Sequence, residues 1–334
     1  MAKTEKQTKN LVLLDTHAIL HRAYHALPDF SSPSGEPTGA LYGVIAMLLK
    51  IIEDVKPNYI VACYDLPEPT YRHEVYKDYK AGRSKTDDEL VKQIIRSRDI
   101  FAAFNIPIYE HVGFEADDML GTIVEQTKDD KNLKVIIASG DMDTLQLVEK
   151  KKVQVYTLKK GIKDTIMYDE AAVKERFQFP PKLVTDYKGL RGDPSDNIPG
   201  IAGIGEKTAT ILITNFGSID QIYTKLKKDE EQFRAAGVKD RIINLLKDNE
   251  EEARFSKMLA VIRRDAPIDF SLPENEWRDG VDVEATLSLF SELGFRTLAI
   301  RIKNLLDIAE EVFPDIETAG YSEEVVSEAS IMLW

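Results

Sequence analysis

Leu11-Val12-Leu13-Leu14 places four apolar residues in a row, and Asp15 follows at once. A run this short and uniformly apolar reads as a strand of a parallel sheet buried on both faces; a half-exposed strand would alternate. Two further runs share the layout. Asn58–Cys63 (NYIVAC) leads into Tyr64 and Asp65, and Lys134–Ala138 (KVIIA) leads through Ser139 and Gly140 to Asp141 and Asp143. Helical patterns fill the intervals, over Ala40–Val55, about Asp88–Phe104 and Glu115–Lys128. Strands alternating with helices predict an α/β fold with a doubly wound, mainly parallel sheet. Such sheets bind ligands beyond the carboxyl ends of their strands. Three strands here deliver a carboxylate at or just past that end, and charge beside a buried sheet edge is costly unless something positive compensates it.

Beyond about residue 180 the character changes. A Gly- and Pro-rich loop, Gly189 to Gly205, leads into Lys207–Asn215 and then into charged helical stretches up to about Leu306. The expected organisation is an α/β domain over 10–180, an all-helical domain over 181–306, and an acidic tail over 307–334. No internal repeat or low-complexity segment interrupts it.

The 334 residues are 43% hydrophobic and 30% charged, which supplies an ample core and excludes a chain disordered throughout. The longest apolar run, Val44 to Leu49, is far too short to span a bilayer. The opening MAKTEKQTKN lacks the apolar stretch of a signal peptide, and the single cysteine, Cys63, has no internal disulfide partner; a reducing cytoplasm is the expected setting. The net charge of −13 taken alone argues against nucleic acid. Its distribution says otherwise. Residues 305–334 hold eight acids and no Lys or Arg, so residues 1–304 carry only −5.

The remaining acids gather in motifs. Glu115, Asp117 and Asp118 open a helix; Asp141 and Asp143 lie in SGDMDTL; Asp193 and Asp196 lie in GDPSDN. Singly, each has an ordinary explanation, as a helix start favoured by the dipole, a cap or a turn. With Asp15 and Asp65 they make nine carboxylates that an α/β fold brings towards one edge. Nine like charges in one cleft repel unless cations are bound there. All-oxygen ligation suits Mg²⁺ or Mn²⁺, and no Cys and His spacing matches a zinc site. Two such ions about 4 Å apart stabilise the attacking and leaving oxygens of an in-line phosphoryl displacement, which points to phosphodiester hydrolysis. Setting the nine aside leaves the rest of residues 1–304 at +4, the balance of a positive surface around an acidic hole.

LVLLDTHAILHRAYHALP (11–28), VACYD (61–65), YRHEVYKDYKAGR (71–83), GFEADD (113–118), ASGDMDTLQL (138–147) and GLRGDPSDNIPGIAGIGEKTA (189–209) together make the chain resemble the flap-endonuclease family of 5′ nucleases, in particular the 5′→3′ exonuclease domain at the N-terminus of bacterial DNA polymerase I. The segments keep the family's order across about residues 10–306. The resemblance implies a PIN-like nuclease core with a helical arch over about 72–104, and a helical domain carrying a helix–hairpin–helix within a helix–three-turn–helix. It implies two or more Mg²⁺ ions, for which Mn²⁺ substitutes. Asp15, Asp65, Glu115 and Asp117 would hold the first, and Asp141, Asp143 and Asp196 the second, with Asp118 and Asp193 contributing.

Between Arg72 and Arg98 eight basic residues face five acids, with Tyr71, Tyr76 and Tyr79 interleaved at the start. Such a run is ordinarily a solvated helix face. By resemblance, a single-stranded 5′ end passes here: Arg72, Lys80 and Arg83 match catalytic cations at the scissile phosphate, and Tyr79 matches an aromatic that stacks on a base. His21, Arg22, Tyr24 and His25 read mainly as packing. Gly200–Thr208 is not a phosphate-binding P-loop, because Glu206 separates Gly205 from Lys207. It resembles the family's hairpin, where Gly200, Gly203, Gly205, Lys207 and Thr208 would grip duplex phosphates through backbone amides and one charge. Gly200, Ile201 and Ile204 match positions whose carbonyls hold K⁺.

Two other classes share parts of this pattern. A haloacid-dehalogenase-type phosphatase needs a second Asp two residues after the first, where His17 stands. A non-catalytic DNA scaffold gains nothing from nine clustered carboxylates. The resemblance implies action on DNA with a 5′ flap, nick or single-stranded 5′ end and on RNA-primer/DNA junctions, in Okazaki-fragment maturation and DNA repair, with a covalently linked polymerase as the possible context and no membrane partner.

Overall fold

The computed structural model describes residues 8–160 and 164–308. The acidic tail expected from 307 onward lies outside the described residues from 309.

Strands β1 (Lys9–Asp15), β2 (Tyr59–Cys63), β3 (Ile108–Tyr109), β4 (Leu133–Ala138), β5 (Val153–Lys160) and β6 (Asp164–Tyr168) form one sheet in the order β3-β2-β1-β4-β5-β6. All neighbours are parallel except β5 and β6, which pair antiparallel. The three strands read from sequence form the sheet's centre, and three shorter or more polar ones extend it. The side chains of β1 alternate between two cores. Val12 and Leu14 join one cluster with Ile60, Ala62, Ile136 and Ala138, while Leu11 and Leu13 join the other with Val61, Cys63, Val135 and Ile137. A strand apolar on both faces needs a layer over each.

Helices α1 (Thr16–Ala26), α2 (Gly39–Val55), α3 (Tyr71–Val75), α4 (Asp88–Ala103) and α5 (Ala116–Gln126) connect the first strands. Gly43 lets α2 lie against α1: a Cβ there would stand 2.3 Å from that of Ala23. Thr38 does not cap α2 through its side chain. Gln93 of α4 does so from outside, its Oε1 accepting the Ala40 and Leu41 N–H groups at 2.7 and 3.4 Å. The segment expected as an arch is thus α3, turns over 76–87, and α4.

Past α6 (Glu170–Phe177) the helical module comprises α7 (Val184–Arg191), α8 (Glu206–Phe216), α9 (Ile219–Lys228), α10 (Glu231–Ala235), α11 (Asp240–Asp248) and α12 (Glu250–Ala260) around its own core. Within the span 181–306 expected as the helical domain, the chain then returns to the α/β body. Ile262 and Ala266 pack under the sheet on the α5 side. Helices α13 (Trp277–Gly280), α14 (Val283–Leu293) and α15 (Arg296–Leu305) follow, and Phe290, Phe295 and Leu298 join the core under α2 and α4. The apolar faces of α14 and α15 fit a helical layer equally well over a sheet or in a bundle, so periodicity alone does not choose.

The chain builds outward from β1 in both directions, so the order reverses between β1 and β4. That switch point opens a crevice at the carboxyl ends of the strands. Asp15 pairs with Cys63 in register and Leu14 with Ala138, which brings Asp65 and Ser139 to its sides.

Candidate active site

Asp15 ends β1 and caps α1. Its Oδ1 accepts the Ala18 N–H at 3.1 Å and its Oδ2 the Ser139 hydroxyl at 2.6 Å. It is 4% exposed; burial, with Asp65 and Asp141 nearby, pushes its carboxyl up to about 7. Asp65 accepts the Ala116 N–H at 2.7 Å, joining the end of β2 to the start of α5. The Asp65 N–H donates to His17 Nδ1 at 3.1 Å, which puts the His17 proton on Nε2, and burial lowers that imidazole's pKa. Asp141 caps a 3-10 turn, Met142–Leu147, by accepting the Asp143 N–H at 2.8 Å.

Asp117 projects from the first turn of α5 and has neither hydrogen bond nor ion pair within the described residues. Burial and then Asp15, Asp141, Asp143 and Asp65 raise its carboxyl well above the usual range. These five acids therefore share one space, and Asp15, Asp65, Asp117 and Asp141 have no Lys or Arg partner there.

The other five carboxylates are held by cations of the protein. Lys80 Nζ donates to Glu115 Oε1 at 2.8 Å, and Arg83 pairs with Asp196. Lys188 of α7 bridges Asp143 and Asp193. Burial, then Asp141, raise Asp143 to about 7 against the pull of Lys188. At Asp193 burial is outweighed by Lys188 and Ser195, and the carboxyl falls below its usual value.

Asp118 and Arg72 form the fifth pairing, and it is complete. Arg72 Nη1 and Nη2 reach the two Asp118 oxygens at 2.8 and 2.9 Å; Nη1 also reaches Glu115 at 3.2 Å, while Nε and Nη2 donate to the Leu259 and Val261 carbonyls at 3.0 and 2.8 Å. Asp118 accepts the Glu115 and Arg263 N–H groups as well, at 3.0 and 2.8 Å, and is fully buried.

Three of the expected site residues are turned inward to partners within the protein. Arg72 is 3% exposed, and its donors are taken by Asp118, Glu115 and the Leu259 and Val261 carbonyls, which brace the site. Asp118 turns both oxygens to Arg72 and backbone amides. Tyr79, also 3% exposed, has no open ring face for a base; its hydroxyl lies 3.2 Å from Glu115 and 3.0 Å from Asp196 and ties the two acids together. Lys80, held at φ +57°, and the half-exposed Arg83 remain the cations at the rim. Three participants lay outside the sequence reading of the site. Ser139 and His17 sit inside quoted motifs, and Lys188 stands one residue before the quoted Gly189–Ala209 segment.

Farther along, Ile201 and Ile204 turn into the helical core, while Gly203, Gly205 and Lys207 are exposed. Gly200 has φ +61°, and a Cβ there would stand 2.0 Å from the Gly192 nitrogen, so this turn is locked onto the Asp193 loop. Gly205 starts α8 without a side-chain cap.

Carboxylate oxygens predominate in the crevice, a donor set suited to hard divalent cations. Asp117, buried, crowded by other acids and without a cationic partner among the described residues, is the observation that asks for one. No three Asp, Glu, His or Cys side chains among the described residues are yet gathered at single-ion spacing, which fits the fact that internal cations draw five of the nine away.

A mainly parallel sheet with an acidic crevice at its switch point, basic side chains at the rim and a separate helical module defines a nuclease-type fold of the resolvase-like kind. Residues 10–178 match the family described as 5′-3′ exonuclease, N-terminal resolvase-like domain, and residues 179–281 match 5′-3′ exonuclease, C-terminal SAM fold. The chain belongs to this 5′-3′ exonuclease family. It is 38% identical over 296 residues to DNA polymerase I of Bacillus caldotenax and to that of Bacillus subtilis, covering 89% of this chain and 32% of each relative. It thus spans about a third of the length of these curated relatives. Among solved structures, bacteriophage T5 5′-exonuclease with bound zinc superposes with a TM-score of 0.60 at 21% identity, over 90% of this chain and 99% of that one. The T5 flap endonuclease in a complex with DNA and metal ions gives 0.60 at 19%, over 90% of this chain and all of the other. The Rad2 catalytic core with DNA substrate gives 0.55 at 14%, over 91% and 93%. At these identities the likeness establishes the fold.

Proposed function

We propose that the chain is a divalent-metal-dependent, structure-specific 5′ nuclease that hydrolyses DNA phosphodiesters as a 5′→3′ exonuclease and 5′-flap endonuclease. The observation that carries this is Asp117 with Asp15, Asp65 and Asp141, four acids with no Lys or Arg partner among the described residues at the switch point of the sheet. Mg²⁺, with Mn²⁺ as substitute, fits the donor set. Asp15, Asp65, Glu115 and Asp117 would hold one ion, and Asp141, Asp143, Asp193 and Asp196 a second. Bound there, the ions would supply a nucleophile at neutral pH and charge stabilisation for both oxygens of the displacement.

The protein's own groups do the rest. Ser139 and the Ala18 amide fix the Asp15 rotamer, and the Ala116 amide fixes that of Asp65. Lys80 and Arg83 stand at the rim, where charge develops on the phosphate. The exposed amides at the α8 start, with Lys207 and Thr208, would position duplex phosphates without reading sequence, and the Gly200, Ile201 and Ile204 carbonyls would hold K⁺ there. The substrates this implies are 5′ flaps, nicks and RNA-primer/DNA junctions, in Okazaki-fragment processing and DNA repair. A covalently joined polymerase is the partner the relatives suggest.

A 5′-labelled flap duplex incubated with Mg²⁺ or with EDTA, beside Asp141→Ala/Asp143→Ala, tests the reading. Metal-dependent release of the flap that the double variant lacks supports it. A duplex bound but uncut under both Mg²⁺ and Mn²⁺ would favour a DNA-binding scaffold.

A further inference from the structure

The two groups of acids in the crevice differ in how their charge is balanced. Asp15, Asp65 and Asp117 lie together with no Lys or Arg partner among the described residues. Asp143 and Asp193 come from different elements, the 3-10 turn and the loop after α7, and one ammonium spans them. Lys188 Nζ donates to Asp143 and, at 2.5 Å, to Asp193. Its side chain is 13% exposed, and the two carboxylates are 16% and 14% exposed. The arrangement is a shielded three-charge cluster in which one cation neutralises two anions. Each acid is also held in place: Asp193 Oδ1 accepts the Ser195 N–H and hydroxyl at 3.0 and 2.6 Å, and the Asp143 N–H donates to Asp141 Oδ1 at 2.8 Å.

We propose that Lys188 is the built-in counter-cation of the second acidic pair: its ammonium holds Asp143 and Asp193 together in the metal-free protein, and a divalent cation must displace it to take those carboxylates. This rests on the nuclease reading of the crevice. A divalent ion requires carboxylate oxygens within about 2.0–2.6 Å, and a full positive charge cannot stay in contact with the same oxygens. Occupying the Asp15–Asp65–Asp117 side breaks no Lys or Arg pair there. Occupying the Asp143–Asp193 side breaks two contacts of a shielded ammonium. Cation binding therefore divides into a tight class and a weaker one, and Lys188 sets the gap. The displaced ammonium stays at the crevice on α7, so the positive charge is relocated and not lost.

The experiment is a titration of the metal-free full chain with Mn²⁺ alone, free Mn²⁺ being read by electron paramagnetic resonance. In Lys188→Met the weaker class should tighten about tenfold or more, the change expected when about 1.4 kcal/mol of competition is removed. The tighter class should move less than about twofold, and Lys188→Arg, which keeps the charge, should resemble the parent. A destabilised protein does not gain metal affinity, so tightening separates this role from a structural one. A weaker class that is unchanged or loosened in Lys188→Met overturns the proposal while leaving the metal site intact. If the parent binds no Mn²⁺ that Asp143→Asn weakens, the underlying nuclease reading falls and the proposal with it. Should Lys188→Met not fold, the parent decides: acetylation of lysines read by mass spectrometry should show Lys188 slow without metal and several-fold faster with Mg²⁺. The exposed Lys85 serves as the constant reference. Equal Lys188 reactivity in both conditions also overturns the proposal.

Discussion

Arg72→Ala separates a bracing cation from a phosphate-contacting one. Arg72 neutralises Asp118 and part of Glu115 and satisfies the Leu259 and Val261 carbonyls, all within a buried region. Its removal leaves Asp118, which is fully buried, with two amides and no counter-charge. Breaking a buried pair from one side costs about 3–5 kcal/mol. The loss also unties α3 from the 259–263 segment. For a chain of this size, each kcal/mol lowers the midpoint by roughly 2–4 °C, so Tm should fall by roughly 6–20 °C. Arg72→Lys keeps the charge without the fork and should fall between. Arg83→Ala is the matched control: its partner is Asp196, but half of Arg83 is in solvent, so its stability cost should stay below about 1 kcal/mol while cleavage drops. Thermal and urea unfolding beside flap cleavage at a permissive temperature would read both quantities. Near-parental stability for Arg72→Ala, with cleavage alone abolished, would refute the bracing argument and restore Arg72 as a phosphate contact.

Tyr79→Phe removes only the hydroxyl between Glu115 and Asp196, so cleavage should fall about tenfold for a loss of about 1–1.5 kcal/mol of positioning; an unimpaired variant would point to base stacking by the ring. Gly200→Ala forces a Cβ onto the Gly192 backbone at φ +61° and should weaken duplex binding across all sequences in a salt-titrated binding assay. Loss of binding for only some sequences would contradict a backbone-gripping hairpin. Phe290→Ala, in the core shared with Phe104 and Phe295, should cost about 3–5 kcal/mol in urea unfolding and leave cleavage intact where the protein is folded. A cost below about 1 kcal/mol would mean that the C-terminal helices do not brace the α/β body.

The buried strands were legible because their chemistry is local. Four apolar residues followed by an acid state both the burial and the edge, and the observed β1, β2 and β4 follow those runs within a residue or two. β3, with two residues, and the pair β5–β6 escaped, since a two-residue strand carries no periodicity and β5 and β6 mix apolar with polar residues and lack the uniform apolar run of the central strands. The return of α13–α15 to the first core escaped as well, because an apolar helical face does not name its partner.

The same division runs through the site. Sequence by itself determined which residues could carry charge there: nine carboxylates at strand ends and helix starts, and a basic stretch after Asp65. Only the tertiary structure decided which charges face one another. Arg72 meets Asp118 across 46 residues and braces it, Tyr79 bridges Glu115 and Asp196, and Lys188 closes on Asp143 and Asp193. Electrostatic partnership depends on distance and burial, and neither is written in the order of residues along the chain.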